Sequence, residues 1–195
     1  MNQSAYLKVP LERVGVLIGP HGRVKARIER VFGASMTIDS ESGSVVISLN
    51  PDAKDISSLF TVRNIVGAIG RGFSPKRAER LADEEHDLMI IDLTDYVGRS
   101  KNALSRVKGR IIGRNGRSRE VLEELTETMI SVYGHTVAVI GRVDSLDVAK
   151  EAVLMLVKGA FHKTVWNYLY AHRRRVKKKR EEIWEEPQEP KVMLR

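Results

Sequence analysis

Two short glycine-framed segments hold the residues of this chain best suited to chemistry. One is Gly19-Pro20-His21-Gly22, followed by Arg23 and Lys25; the other is Gly113-Arg114-Asn115-Gly116, followed by Arg117 and Arg119. Glycine has no Cβ, so its backbone takes positive φ and approaches a ligand closely. Two glycines three apart, set between helices, bring the next helix's first N–H groups to the surface. Those groups carry partial positive charge and bind phosphate. Ile18 before one loop, and Ile111 and Ile112 before the other, can wall a groove beside it. Such a device grips a single-stranded backbone by its phosphates and leaves bases against an aliphatic wall. A single Gly-x-x-Gly is more often an ordinary interhelical turn, but here it occurs twice, each time after an apolar pair ending in Ile-Gly.

The two loops are not equivalent. The second combines backbone amides with Arg114, Asn115, Arg117 and Arg119, and has Lys108 and Arg110 just upstream. The first has Pro20, which lacks an N–H, and His21, mostly neutral at pH 7. The second copy is therefore expected to contact nucleic acid. The first is expected either to do the same or to act as a structural copy that supports its twin or holds a protein.

Charge follows the same asymmetry. The 195 residues carry 33 Lys+Arg against 25 Asp+Glu, a net of +8; residues 1–88 hold 12 basic and 11 acidic side chains, leaving 21 and 14 for residues 89–195. Eight cations and no carboxylate lie between Arg99 and Arg119. Seven more lie in the eight positions Arg173–Arg180, broken only by Val176, among them Arg173, Arg174, Arg175, Lys177, Lys178 and Lys179. A charge run is usually a solvated face, but two in one half of a small protein favour nucleic acid. An aromatic content of 6% argues against a base-stacking platform. An aliphatic groove has no need of one.

Other functions are disfavoured by what the chain contains. It has no cysteine, hence no disulfide framework, thiolate metal site or cysteine nucleophile, which fits a reducing cytosol. No apolar run approaches the roughly 20 residues that cross a bilayer. The start, MNQSAYLKVPLERV, lacks the pattern of a secretory signal, so a cytoplasmic protein without membrane association is expected. The best metal candidate is Asp83-Glu84-Glu85-His86-Asp87, which reads more simply as a solvated linker or a helix cap; the other histidines are scattered. No metal, no cofactor and no catalytic residues are expected, and a metal-dependent nuclease is the minor alternative.

The elements that must position the loops come from an internal repeat at an offset of 94 residues. Ile28 then meets Leu122, Thr37 meets Ser131 and Ile38 meets Val132. In the first copy, Ser4–Val9 reads as a strand, and Pro10 opens a helix to Ile18. Arg23–Phe32 forms a second helix with Val24, Ile28 and Val31 inward, Ser35–Asp39 and Ser44–Leu49 form a hairpin, and a third helix behind Asp52 and Asp55 carries Ile56, Leu59, Val62, Val66 and Ile69. The second copy repeats this with strand Asp87–Leu93, helices Lys101–Ile112 and Arg117–Leu125, hairpin Thr128–Tyr133 and Thr136–Gly141, and last helix Ser145–Gly159. Gly72-Phe73 and Gly159 with Phe161 close the two copies. The chain is expected to divide into units 4–73, a helical linker 74–85, a unit 86–160, and a tail 161–195. That tail reads as a long helix continuing the last domain helix, with Val165, Tyr168 and Leu169 packing back. Its cations offer a further nucleic-acid contact, and Trp184 in the acidic end offers a protein contact.

A βααββα unit with Gly-x-x-Gly between its helices resembles the type I KH domain, an RNA-binding module whose loop clamps about four nucleotides. The resemblance covers residues from about 4 to 160 as two tandem copies, and implies an α+β fold. One departure is Lys25 and Arg119, where the KH pattern has an apolar residue; Ile28 and Leu122 come three positions later. With the segments GRNGRSREVLEELTETMISVYGHTVAVIG and IGRGFSPKRAERL, the chain is similar to the archaeal relatives of eukaryotic small-subunit ribosome-assembly KH proteins. That resemblance implies binding to the 3′ region of small-subunit rRNA and assistance in its maturation. The partners it implies are the 3′-end endonuclease, the rRNA dimethyltransferase or a translation initiation factor. An RNA-free protein scaffold and a translation-linked factor are the alternatives.

Overall fold

The computed structural model describes residues 4–49 and 57–184. The first copy runs β1 (Ser4–Lys8), α1 (Leu11–Ile18), α2 (Arg23–Phe32), β2 (Ala34–Ile38), β3 (Ser44–Leu49) and α3 (Ser57–Gly70). The linker holds α4 (Pro75–Ala78), capped by the Ser74 hydroxyl on the Arg77 amide, and a 3-10 turn, Glu79–Ala82. The second copy runs β4 (His86–Asp92), α5 (Thr94–Val97), α6 (Lys101–Ile112), α7 (Arg117–Thr126), β5 (Met129–Tyr133), β6 (Thr136–Arg142) and α8 (Val143–Val157), and α9 (His162–Trp184) follows. Each copy has one antiparallel sheet with the last-formed strand in the middle, β1-β3-β2 and β4-β6-β5.

The repeat therefore folds as the βααββα pattern predicts, with four differences. The short helix α5 is additional; it starts where the Asp92 carboxylate accepts the Thr94 amide and hydroxyl (2.8 and 2.7 Å). Those bonds, the hydroxyl first, hold the Asp92 carboxyl below its ordinary range. Val31 is 61% exposed because the inward stripe of α2 continues from Val24 and Ile28 to Phe32, which packs on the core. The tail does not continue the last domain helix. The chain leaves α8 through Gly159 at φ +96°, so α9 is a separate helix that folds back to bury Val165 and Leu169. Phe161 is consequently not the counterpart of Phe73. The Ala160 amide bonds Met155 O as the Phe73 amide bonds Ala68 O, and Phe161 is exposed while Phe73 is buried. The expected roles of Asp52, Asp55, Ile56 and the acidic end beyond residue 184 fall outside the described residues.

The two sheets sit in different surroundings. In the first, one face packs on α1, α2 and α3 through Val45, Ile47, Ala34 and Met36, and the other exposes Tyr6, Ser35 and Thr37. In the second, β6 is buried from Thr136 to Gly141. Val137 and Val139 face the second copy's own helices, while Ala138 and Ile140, flanked by Leu88 and Met129, join the core of the first copy. This contact is close. A Cβ on Gly72 would lie 2.7 Å from Ser131 Oγ and 2.9 Å from Tyr133 Cβ, and the Ser131 hydroxyl donates to Arg71 O (2.9 Å). Burying these apolar faces contributes about 25 cal/mol per Å², so the copies are packed into one body.

Candidate nucleic-acid interface

Both glycine loops have nearly the same backbone. Gly19, His21 and Gly22 have φ/ψ of 73/173°, 51/30° and 74/7°; Gly113, Asn115 and Gly116 have 73/177°, 52/27° and 80/1°. The glycines within a loop do different work. A Cβ on Gly19 would lie 2.4 Å from Val24 Cγ2, and on Gly113 2.5 Å from Ser118 Cβ, so the first glycine lets the loop sit on the following helix. A Cβ on Gly22 would meet nothing within 4 Å, and on Gly116 only the end of Arg119, at 3.6 Å. The second glycine thus borders open space, and it is also the N-cap of α2 or α7 without any side-chain cap bond. The Arg23 and Arg117 amides bond the loop carbonyls Pro20 O and Arg114 O, and no side chain caps the amides that follow at the start of either helix, the arrangement that attracts an anion.

Side chains separate the loops. Around Gly116, Arg114, Asn115 and Arg117 are exposed, with Arg117 leaning on Glu120 at 3.5 Å. Arg119 is half-buried beside the loop, and its Nε has no hydrogen-bond partner. Ile112 is half-buried and joins neither core, so it lies open as groove wall. Around Gly22, Pro20, His21 and Arg23 are exposed, and Lys25 pairs with Glu29 at 3.8 Å.

Two expected contact residues are engaged inside the domain. Arg110 binds Leu156 O (3.1 Å) and Ala160 O, tying α6 to the end of α8. Arg13 does the same in the first copy from one helical turn earlier, reaching Ile69 O (2.8 Å) and Phe73 O (2.5 Å). Lys108 reaches across to Gly134 O in the β5–β6 turn (3.0 Å). Strand β5 turns only one of its faces to the helices of its own copy. Ile130 and Val132 face α6 and α7, whereas Met129, Ser131 and Tyr133 face the first copy, where the Tyr133 hydroxyl bonds the Glu12 carboxylate. Burial first, then Glu12, raises the Tyr133 phenol above its ordinary pKa.

One paired feature was absent from the sequence reading. Glu29 accepts the Met36 amide (2.7 Å) and Glu123 accepts the Ile130 amide (2.6 Å), each satisfying an edge-strand N–H next to the groove. Both pairs obey the 94-residue offset, which is the signal that would have found them. Glu123 also binds Arg77 from the linker. The acidic run 83–87 is engaged otherwise: His86 Nδ1 is 3.1 Å from Asp83, Glu85 pairs with Arg142 (2.9 Å), and Asp87 accepts from Asn64 (3.1 Å). Among the described residues there is no group of three or more side chains placed to hold a metal, and no helix is long and apolar enough to cross a membrane. In the tail, Arg173, Arg174, Arg175, Lys177, Lys178 and Lys179 are all exposed on α9.

Duplicated βααββα units, each with an outward-facing glycine loop between its first two helices, define a tandem type I KH protein. Residues 87–174 match the eukaryotic-type KH domain (KH domain type I), and residues 4–56 match the KH domain. A KH domain-containing protein of Methanocaldococcus jannaschii is 44% identical over 178 residues, 91% of this chain and 78% of that protein. The chain is also 35% identical over 127 residues to the pre-rRNA-processing protein PNO1 of Chaetomium thermophilum, spanning 58% of this chain and about half (48%) of that relative. Among solved structures, aDim2p of Pyrococcus horikoshii, crystallised with a/eIF2alpha and rRNA, is 44% identical with a TM-score of 0.85, covering 89% of this chain and 96% of that one. This chain belongs to the tandem KH-domain family of archaeal Dim2p and eukaryotic PNO1.

Proposed function

We propose that the protein is an RNA-binding factor of small-subunit rRNA maturation, without catalysis of its own, that takes a single-stranded segment of the rRNA 3′ region on its second KH copy. The observation that carries this reading is the Gly113–Gly116 loop, where an α7 N-terminus without a side-chain cap, a second glycine bordering open space and Arg114, Arg117 and Arg119 come together. Phosphates lie against the amides and arginines, and bases lie beside Ile112 and Val132. Lys108 and Arg110 act as braces that fix α6 rather than as RNA ligands. The first loop, lacking cations at its variable pair, is a weaker RNA contact or a protein-facing copy. The relatives' roles, one named for pre-rRNA processing and one crystallised with rRNA and a translation initiation factor, support the rRNA assignment and make an initiation factor one candidate partner. The 3′-end endonuclease and the dimethyltransferase are the others.

The test is binding of fluorescent single-stranded fragments of the rRNA 3′ end by wild type and Gly116→Asp. The substitution places a carboxylate in the phosphate path with no contact closer than 3.6 Å to its Cβ, and at φ +80° it costs about 1 kcal/mol of left-handed strain, so binding should weaken about 100-fold while the melting point falls by only a few degrees. Crosslinking sites scattered over messenger RNAs would defeat the rRNA assignment.

A further inference from the structure

Helix α9 leaves the domain at its midpoint. Val165 and Leu169 are buried, yet every residue from Arg173 to Lys179 is exposed. From Leu169 to the helix end at Trp184 is 15 residues, a projection of about 22 Å at 1.5 Å per residue. At 100° per residue, positions 165, 169, 172 and 176 form one narrow stripe, which is the side turned to the domain. Val176, the one apolar residue in the cationic run, belongs to that stripe. The six cations of 173–179 occupy the rest, spread over roughly 240° of the circumference.

Most of this array has no ion-pair partner among the described residues. Arg173, Arg174, Arg175 and Lys179 have no ion pair among the described residues, and Lys177 has only Glu181, at 3.7 Å. The pairs 173/177, 174/178 and 175/179 are like charges at i,i+4, each opposing the helix. Depressions flank the rod on both sides. One, of about 840 Å³, is lined by Tyr170, Arg173, Arg174 and Lys177. The other, of about 680 Å³, is lined by Arg142, His172, Arg173 and Lys179. The carboxylates in these clefts are Glu127 and Asp144 from the domain side and Glu181 from α9 itself.

The Gly113–Gly116 loop is one-sided and suits a single strand. A rod that is cationic around most of its circumference is neutralised only by phosphates on more than one side, which two strands bordering a groove provide. We propose that α9 is a second RNA-binding element that lies along a groove of double-helical RNA and contacts both backbones, while the second KH copy holds adjoining single strand. The proposal rests on the RNA-binding reading above and adds a second substrate class to it. Because A-form helices are read through shape and phosphates, α9 contributes affinity and placement without base selection.

The test uses the full chain and two probes, a blunt RNA duplex of about 16 base pairs and an unstructured single strand of one of its sequences. The variant combines Arg173→Gln, Arg174→Gln and Arg175→Gln, exposed positions whose change keeps helix propensity. Duplex affinity should fall about tenfold or more with a shallower salt dependence, and single-strand affinity should stay within about twofold. Gly116→Asp should do the reverse. Duplex binding unchanged in the triple variant overturns the proposal and leaves α9 to an acidic protein; equal losses on both probes overturn it as well. If wild type binds the single strand and not the duplex, this inference alone fails. If it binds neither, the RNA-binding reading fails.

Discussion

The loops at Gly19–Gly22 and Gly113–Gly116 superpose in dihedral space and part company in chemistry. Their shape is set by sterics common to both copies: a glycine that must lie against the residue five positions on, Val24 or Ser118, and a left-handed residue before the second glycine. Their charge is set by side chains whose ionisation the backbone geometry does not dictate. Pro20 and His21 stand where Arg114 and Asn115 stand, and the Lys25 charge is shared with Glu29, whereas Arg119 keeps an unpartnered Nε. The glutamate that closes the edge strand is present in both, but in the second copy it is also bound by Arg77 of the linker. A duplicated fold can thus keep its geometry while one copy specialises.

The comparison can be broken at several points. The largest effect is expected for Gly113→Ala, where a 2.5 Å contact and φ of +73° combine; overpacking and left-handed strain together cost about 3 kcal/mol. Gly19→Ala should match it in a denaturant melt, and a mild effect in either would show that the loops are not held alike. Next, Gly116→Asp should weaken RNA binding about 100-fold, the loss of one or two charge-assisted bonds, against about threefold or less for Gly22→Asp. Equal losses would make the first loop a full RNA site. Third, Glu127 holds φ +55° where the first copy has Gly33 at +60°. Glu127→Gly should therefore raise stability by about 1 kcal/mol and Gly33→Ala should lower it similarly. Fourth, Arg114→Ala should reduce the log–log salt slope by about 0.7, one phosphate on a single strand. The smallest effect concerns Tyr133, whose phenol is raised by burial and Glu12. A raised folded pKa means that its contribution is complete below the ordinary value near 10 and vanishes as pH climbs through the folded value. The stability gap between wild type and Tyr133→Phe should close at high pH; a gap that persists would place the hydrogen bond elsewhere.

Much of this was legible in the residues. A 94-residue offset carrying two glycine loops set the element order, because strand alternation, helical spacing and turn glycines agreed twice. The break between α8 and α9 was not legible, since a lone Gly159 among apolar and helix-forming neighbours looks like a tolerated interruption until its φ is seen. The fates of Lys108 and Arg110 were hidden for another reason. Position on a helix shows that a cation is near the loop, but whether it turns to a ligand or to a carbonyl depends on segments 26 and 46 residues away, the β5–β6 turn for Lys108 and the end of α8 for Arg110. The facing of Met129 and Ser131 depends on where the first copy docks. Period-two alternation separates them from Ile130 and Val132 without saying which side is the groove.

The burial of β6 on both faces has a consequence for how the chain is made. Its outward side chains, Ala138 and Ile140, have no cover within their own copy and rely on a surface formed by residues up to 73. During synthesis that surface is complete more than 60 residues before β6 leaves the ribosome, so the first copy can serve as a ready template for the second. A fragment beginning after residue 73 would present Leu88, Met129, Ala138 and Ile140 to water as one apolar sheet face, an invitation to self-association. The half of the molecule that is nearly neutral therefore has a duty independent of any loop: it keeps the charged half in solution.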